Sequence, residues 1–314
     1  MFDNPRGGSC ATETKAAGMD LNQKNKQRVW EFWQALEGTH GVEATAVSHQ
    51  YMSGDVRWHG PDPLLDLFEV EGFVEGFWQP LQISFSGLER RVHIFLGGAS
   101  SGRADGGEDG RMWVAGSGLF EGRFIRDYLS IPANGEAVQI RWGEFCRLDR
   151  GRIVEVFCLL DLVDLMKQAG SSVLPTGHGE LCPFPPPAAG DGIMLDIQSE
   201  RESRLSQQHT RQSVFEGQGG QGRESWQQAF PDSEAQDLDA LIAEGFYSAA
   251  AGWDGLQATH RGEYLGVAAT GNRVQVNGLE FWKREGGTII ESWLLVDNVH
   301  LFRQLGVDLF ERTN

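Results

Sequence analysis

Basic charge, cysteine and long apolar runs are scarce in this 314-residue sequence, and each scarcity excludes something. Lys and Arg total 27 against 44 Asp and Glu, a formal net charge of −17. Such a surface repels phosphate backbones and anionic headgroups, so neither nucleic acid nor a membrane is expected as a partner. No stretch approaches the ~20 apolar residues needed to cross a bilayer. The first twenty residues hold no apolar segment of the kind that directs export, so a cytoplasmic location is expected. The four cysteines, Cys10, Cys146, Cys158 and Cys182, form no C-x-x-C pair, which argues against a disulfide framework. G-x-x-x-x-G-K-[ST], G-x-S-x-G and H-E-x-x-H are all absent, and the histidines are scattered. Nucleotide, serine-hydrolase and zinc chemistry lose their signatures, and no cofactor or metal is expected. Gly217 to Gly222 satisfies G-x-G-x-x-G, but no strand precedes it and it reads as a loop.

What the chain does have is glycine, 41 residues, which points to many turns and hairpins and disfavours a long helical bundle. Its length favours two domains. Residues 1–24 read as a flexible tail. Val29, Trp30, Phe32, Trp33 and Leu36 then mark a first helix. A second helix is expected over Val42–Tyr51, and a third through Val70, Phe73, Val74, Phe77 and Leu81, bent or ended by Pro80. From Leu88 onward short apolar runs separated by glycine-rich turns read as antiparallel strands: Arg91–Leu96, Met112–Phe120, Val138–Leu148 and Ile153–Leu160. Gly97–Gly110 reads as a hairpin loop, and a short helix over Leu162–Gln168 stops at Gly170. This first domain spans 25–175, a proline-rich linker 176–198, and a second domain 199–314.

Residues 128–170 align without gaps to 264–306 at a constant offset of 136, with more than a third of the positions identical. Tyr128/Tyr264, Glu144/Glu280, Phe145/Phe281, Glu155/Glu291 and Asp161/Asp297 are among the matches. Two copies separated by prolines indicate a duplicated domain and not a solenoid. The second copy is the shorter: nothing in it corresponds to Trp58-His59-Gly60-Pro61, so a pocket there is expected to be less complete.

The period of two in the last strand puts Ile153, Glu155, Phe157, Leu159 and Asp161 on one face, apolar but for its acids. A carboxyl against an apolar wall has its charged form disfavoured, which suits a general acid or base. The alternative for Asp161 and Asp297 is N-capping of the following helices, and for Glu155 and Glu291 a solvated rim. His59 beside Trp58 could polarise a substrate oxygen while the indole stacks on a flat ligand, or be a turn histidine without a task. Arg141 and Glu144 have a cross-strand ion pair as their default role.

Helices followed by a curved sheet, with Gly-x-Ile-Val-Glu, Asp161 and a closing Leu-x-x-Met-x-Gln-x-Gly helix, resemble the SnoaL-like polyketide cyclases of the nuclear transport factor 2-like superfamily. Residues 117–170 and 258–306 carry the likeness most clearly. It implies an α+β fold of two cones, each a curved, mainly antiparallel sheet wrapped against helices with a ligand cavity at its open end. It also implies cofactor-free acid/base chemistry, such as aldol ring closure or isomerisation, in which the aspartate matched by Asp161 moves a proton. On this reading the first domain binds a small apolar or aromatic carbonyl compound. Asp161 and His59 are catalytic, while Trp58, Trp33, Phe157, Arg141 and Glu144 bind or orient the ligand. Asp297, Trp293 and Glu280 are the second-domain candidates. The family also uses an imidazole fourteen positions before its aspartate, where this chain has Arg147. The competing reading is a non-catalytic ligand-binding or scaffolding protein, its two domains packed as an intrachain pseudo-dimer; a homodimer is the alternative assembly.

Overall fold

The computed structural model describes residues 9–171, 173–174, 185–215 and 224–312, the side chains of 9–20, 224–225, 254 and 312 excepted. The first eight residues, most of the proline run and the glycine-rich 217–222 motif lie outside the described residues.

Helix α1 runs Ser9–Leu36, so much of the stretch expected to be a flexible tail is helical. Val29, Phe32, Trp33 and Leu36 stand at i, i+3, i+4 and i+7 and are all buried. The helix stops where Gly38 takes φ +71° and the Thr39 hydroxyl donates to Leu36 O, satisfying a carbonyl that has lost its helical partner. After α2 (Gly41–Tyr51) come β1 (Met52–His59), β2 (Asp66–Phe68) and α3 (Glu69–Phe73). A π turn, Val74–Trp78, joins α3 to α4 (Gln79–Ser84). Pro80 does not end this segment: it sits in the first turn of α4, where its missing N–H costs no helical bond. Strands β3 (Phe85–Ala99), β4 (Met112–Phe124), β5 (Ala137–Asp149) and β6 (Arg152–Leu160) then lead to α5 (Leu162–Gln168). The sheet order is β2-β1-β6-β5-β4-β3, antiparallel except for β1 beside β6.

The second half follows the same plan with parts missing. Helices α6 (Glu200–Phe215) and α7 (Glu224–Ala229) precede β7 (Glu234–Ala235), β8 (Ala240–Glu244), β9 (Tyr247–Thr259), β10 (Arg273–Glu285) and β11 (Thr288–Val296). Helix α8 (Asn298–Gln304) closes it. Among the described residues strand β11 pairs only with β10, whereas its equivalent β6 is flanked by β5 and β1. The absent partner is the strand ending in Trp58-His59, as the shorter sequence implied.

Each sheet turns its inner face to its own helices and its outer face to the other sheet. Ile94, Leu96, Trp113, Phe145, Phe157 and Leu159 of the first sheet form one core with Ile242, Leu279, Phe281, Trp293 and Leu295 of the second. Repeat equivalents meet across this seam. Phe145 and Phe281 lie 5.6 Å apart, and α5 touches α8, so an approximate two-fold relates the halves. Gly143 allows the approach: a Cβ there would stand 2.8 Å from Leu295 Cδ1. A buried clasp adds to it, with Lys26 Nζ of α1 donating to Glu244 Oε1 of β8 at 2.5 Å and to Met194 O at 2.6 Å. Glu244 Oε2 in turn accepts the Gly97 N–H, so both charges are paired and hydrogen-bonded as burial demands.

Candidate functional site

The strand face expected to line a pocket is instead the seam. Opposite Leu148 stands Ile153, but opposite Arg147 stands Glu155, so Val154 is an extra residue and the alternation slips. Ile153 therefore joins Val156, Cys158 and Leu160 in the inner core, while Phe157 and Leu159 face outward.

 Phe157 and Leu159 themselves pack in the seam against the second sheet. Phe157 is thus an interface residue and not a pocket wall, and so is Trp293, whose Nε1 donates to Pro185 O at 2.8 Å.

Asp161 and Asp297 are helix caps. Asp161 Oδ1 accepts the Asp164 N–H at 2.9 Å, and Oδ2 pairs with Arg141 at 2.5 Å. Asp297 Oδ1 accepts from His300 N and Oδ2 from Asp62 N, both at 3.0 Å. Burial raises the pKa of Asp161, with the Arg141 guanidinium pulling against it, and burial pushes Asp297 up to about 6. The two aspartates flank one gap of about 10 Å3, room for a single water at most. No substrate fits there, which removes the geometric basis for catalysis by either residue. Arg141 is likewise spent on the cap, while Glu144 lies on the opposite face of the strand.

His59 does not meet Asp161. Its Nδ1 lies 2.7 Å from Asp66 and its Nε2 3.5 Å from Glu155, while its ring stacks on Phe157 at 4.6 Å. Burial pulls the imidazole pKa down, but the two carboxylates outweigh it and the net shift is upward. Glu155 falls to about 2: burial opposes this, and His59 and Arg147 overcome it. This is a half-buried salt-bridge cluster at the edge of the seam, not an imidazole presented to a ligand.

The remaining first-domain candidates fill the cone. Trp58 is fully buried and stacks on Phe77 at 4.5 Å. Trp33 Nε1 donates to Glu144 Oε1 at 2.5 Å, and Arg90 stands 3.6 Å from Oε2. The Arg90 guanidinium lies 4.7 Å over Trp33 and 4.6 Å over Trp142, a cation between indole faces. The inner face of the first sheet is one continuous core, so the domain expected to bind ligand has its interior occupied by its own side chains.

In the second cone the inner core is split in two, and a cavity of about 170 Å3 lies at the divide. Val214 and Trp226 of the helices face Leu256, Val276, Trp282 and Leu294 of the sheet across it. Glu280, the repeat equivalent of Glu144, is the carboxylate among its lining residues. This reverses the expectation that the shortened copy has the poorer pocket: among the described residues, α6 and α7 leave a gap over its inner face that the helices of the first copy fill. A bulge shapes one wall. Trp253, Asp254 and Gly255 of β9 stand opposite Asn277 alone, which places Gly252 and Gly255 at the cavity and Trp253 at the seam, 6.4 Å from His59. Of the predicted residues only Glu280 lines this cavity. Gly278, Trp282 and Leu294 were missed, although the gapless repeat already set Gly278 against Trp142. Elsewhere a wider, polar furrow at Glu89, Arg91, Glu121 and Gln139 lies on the surface, its charges already paired. Among the described residues no three His, Cys, Asp or Glu side chains are grouped to hold a metal ion, and no helix is long and apolar enough to cross a membrane.

No curated protein matches the chain. Among solved structures it is similar to a protein from Jannaschia sp. CCS1 named for the SnoaL-like polyketide cyclases, with 18% identity over 46% of this chain and 91% of that one and a TM-score of 0.37. It is similar also to IdmH from Streptomyces antibioticus, named for the polyketide cyclases, with 18% identity over 46% and 98% and a TM-score of 0.37. A nuclear transport factor 2-like protein from Burkholderia thailandensis E264 has 17% identity over 46% and 96%, with a TM-score of 0.34. Residues 207–305 match the model of the SnoaL-like polyketide cyclase family. That span contains every residue lining the 170 Å3 cavity. The second half of the chain, with its curved sheet wrapped against helices, thus holds the segment that is similar to the SnoaL-like polyketide cyclase family.

Proposed function

We propose that the second domain binds a small, largely apolar carbonyl compound in its cone and that Glu280 transfers a proton on it. The observation that carries this reading is a carboxylate in an otherwise apolar cavity, within the segment that matches the model of a cyclase family. Apolar walls with few polar groups are the usual make-up of a small-molecule site. In the reaction envisaged, a C–H bond beside the carbonyl breaks, its proton passes to a Glu280 oxygen, and its electron pair moves onto the carbonyl oxygen as an enolate. Return of the proton at another carbon isomerises the compound; attack of the enolate on a second carbonyl closes a ring. Neither outcome requires a redox partner. The first domain supplies the body against which the second is held.

The test is exchange of the α-hydrogens of phenoxyacetone for deuterium, followed by proton NMR in D2O. A positioned base accelerates such a step about 10²- to 10⁴-fold. Wild type should accelerate exchange, and Glu280→Gln should lose that acceleration while still binding the ketone. Binding without exchange by wild type would leave a carrier and remove the enzyme. Equal exchange by both proteins would remove Glu280.

A further inference from the structure

Glycine usually occupies a strand because the backbone or a close neighbour demands it. Gly278 meets neither condition. Its φ lies outside the left-handed region, and a Cβ built on it would meet only Leu295 O, at 3.5 Å, an ordinary contact. Gly252, its partner across the strand pair, is by contrast crowded, with a Cβ standing 3.1 Å from Leu238 Cδ2. Position 278 therefore accepts a side chain, and what its glycine provides is empty space.

The other copy holds the comparison. At the equivalent position stands Trp142, fully buried, its ring 5.2 Å from Trp33 and 5.6 Å from Phe120. Both positions have the same neighbours in register: Leu160 beside Trp142 and Val296 beside Gly278, then Glu144 and Glu280 two residues on. One cone is filled by an indole at the place where the other is empty. An engineered apolar cavity of ~150 Å3 takes up benzene, so the 170 Å3 here suits a single ring. Two strand residues span about 7 Å. A ring lying over Gly278 therefore places a short substituent, and not a second ring, beside Glu280.

We propose that Gly278 determines the size of the guest, and that the guest class is carbonyl compounds carrying one ring, the ring over Gly278 and the carbonyl arm toward Glu280. This rests on the reading of the cavity as a ligand site.

The experiment is calorimetric titration of the full chain with phenoxyacetone, 2-acetylnaphthalene and 2-acetylanthracene, repeated for Gly278→Ala, Gly278→Leu and Gly278→Trp. Wild type should bind the one-ring ketone and discriminate at least tenfold against three rings. Affinity for the one-ring ketone should fall stepwise from Ala to Leu, by tenfold or more at Leu, and vanish at Trp, with thermal unfolding verifying that each variant is folded. If Gly278→Trp does not fold, the Leu variant decides alone. Unchanged affinity in Gly278→Leu, or wild-type preference for three rings, overturns the assignment of Gly278 and leaves the cavity as a ligand site. Absence of binding by wild type overturns both.

Discussion

Between residues 140 and 146 of the first copy and 276 and 282 of the second, the chain reads Ile-Arg-Trp-Gly-Glu-Phe-Cys and Val-Asn-Gly-Leu-Glu-Phe-Trp. Both stretches are β-strands in equivalent places, and both present their glutamate to the inside of a cone. In the first, indoles and an arginine close around that glutamate. In the second, the indole has moved from two positions before the glutamate to two positions after it, and helices equivalent to α1 and α2 are replaced by others. A duplicated fold can thus assign packing to one copy and space to the other. The difference lies in a few side-chain volumes and in which elements cover the sheet.

The sharpest way to break this comparison is to empty the filled cone. Trp142→Ala should cost about 3–5 kcal/mol in urea unfolding, the usual range for a large buried aromatic. A cost below about 1 kcal/mol would mean the first interior is not the packed body described. Asp161→Ala comes next, with about 2–3 kcal/mol expected from the lost cap and the Arg141 charge left without its carboxylate. Ketone binding by the second domain should be unaffected; a stable Asp161→Ala protein without deuterium exchange would return catalysis to the first copy. Third is a pH effect at the seam. The folded-state pKa of His59 is raised, so its stabilisation is present in full below the ordinary imidazole value near 6.5 and is lost as pH rises through the folded value. Chemical unfolding of wild type should therefore weaken on going from pH 6 to pH 8.5, and that component should vanish in His59→Gln. The smallest effect is expected at the open face: Leu294→Ala, at a side chain 43% exposed, should change stability by less than about 1 kcal/mol.

Much of the architecture was readable in residue patterns. Phe32, Trp33 and Leu36 announced their helix by spacing, and the offset of 136 announced a second copy without the strand that ends in Trp58-His59. The site was less legible. The extra residue at Val154 turns Ile153 to the inner core, and the face that Phe157 and Leu159 do share is the seam and not a pocket wall. Apolar alternation also does not distinguish a wall facing a ligand from one facing a second sheet, since both remove the same side chains from water. Glu280 was found because it repeats Glu144, whereas Gly278 offers no side chain for a pattern to register.

By itself, the order of residues determined that there would be two related α+β units, with strands where period two prevails and turns where glycine permits positive φ. These are consequences of local sterics and of burying one face of each element. Only the tertiary structure decided that the outer faces join, that Asp161 and Asp297 cap helices at the seam, and that the second cone is the one left open. Occupancy of an interior depends on the summed volumes of side chains brought together from distant parts of the chain, and that sum exists only once the chain is folded.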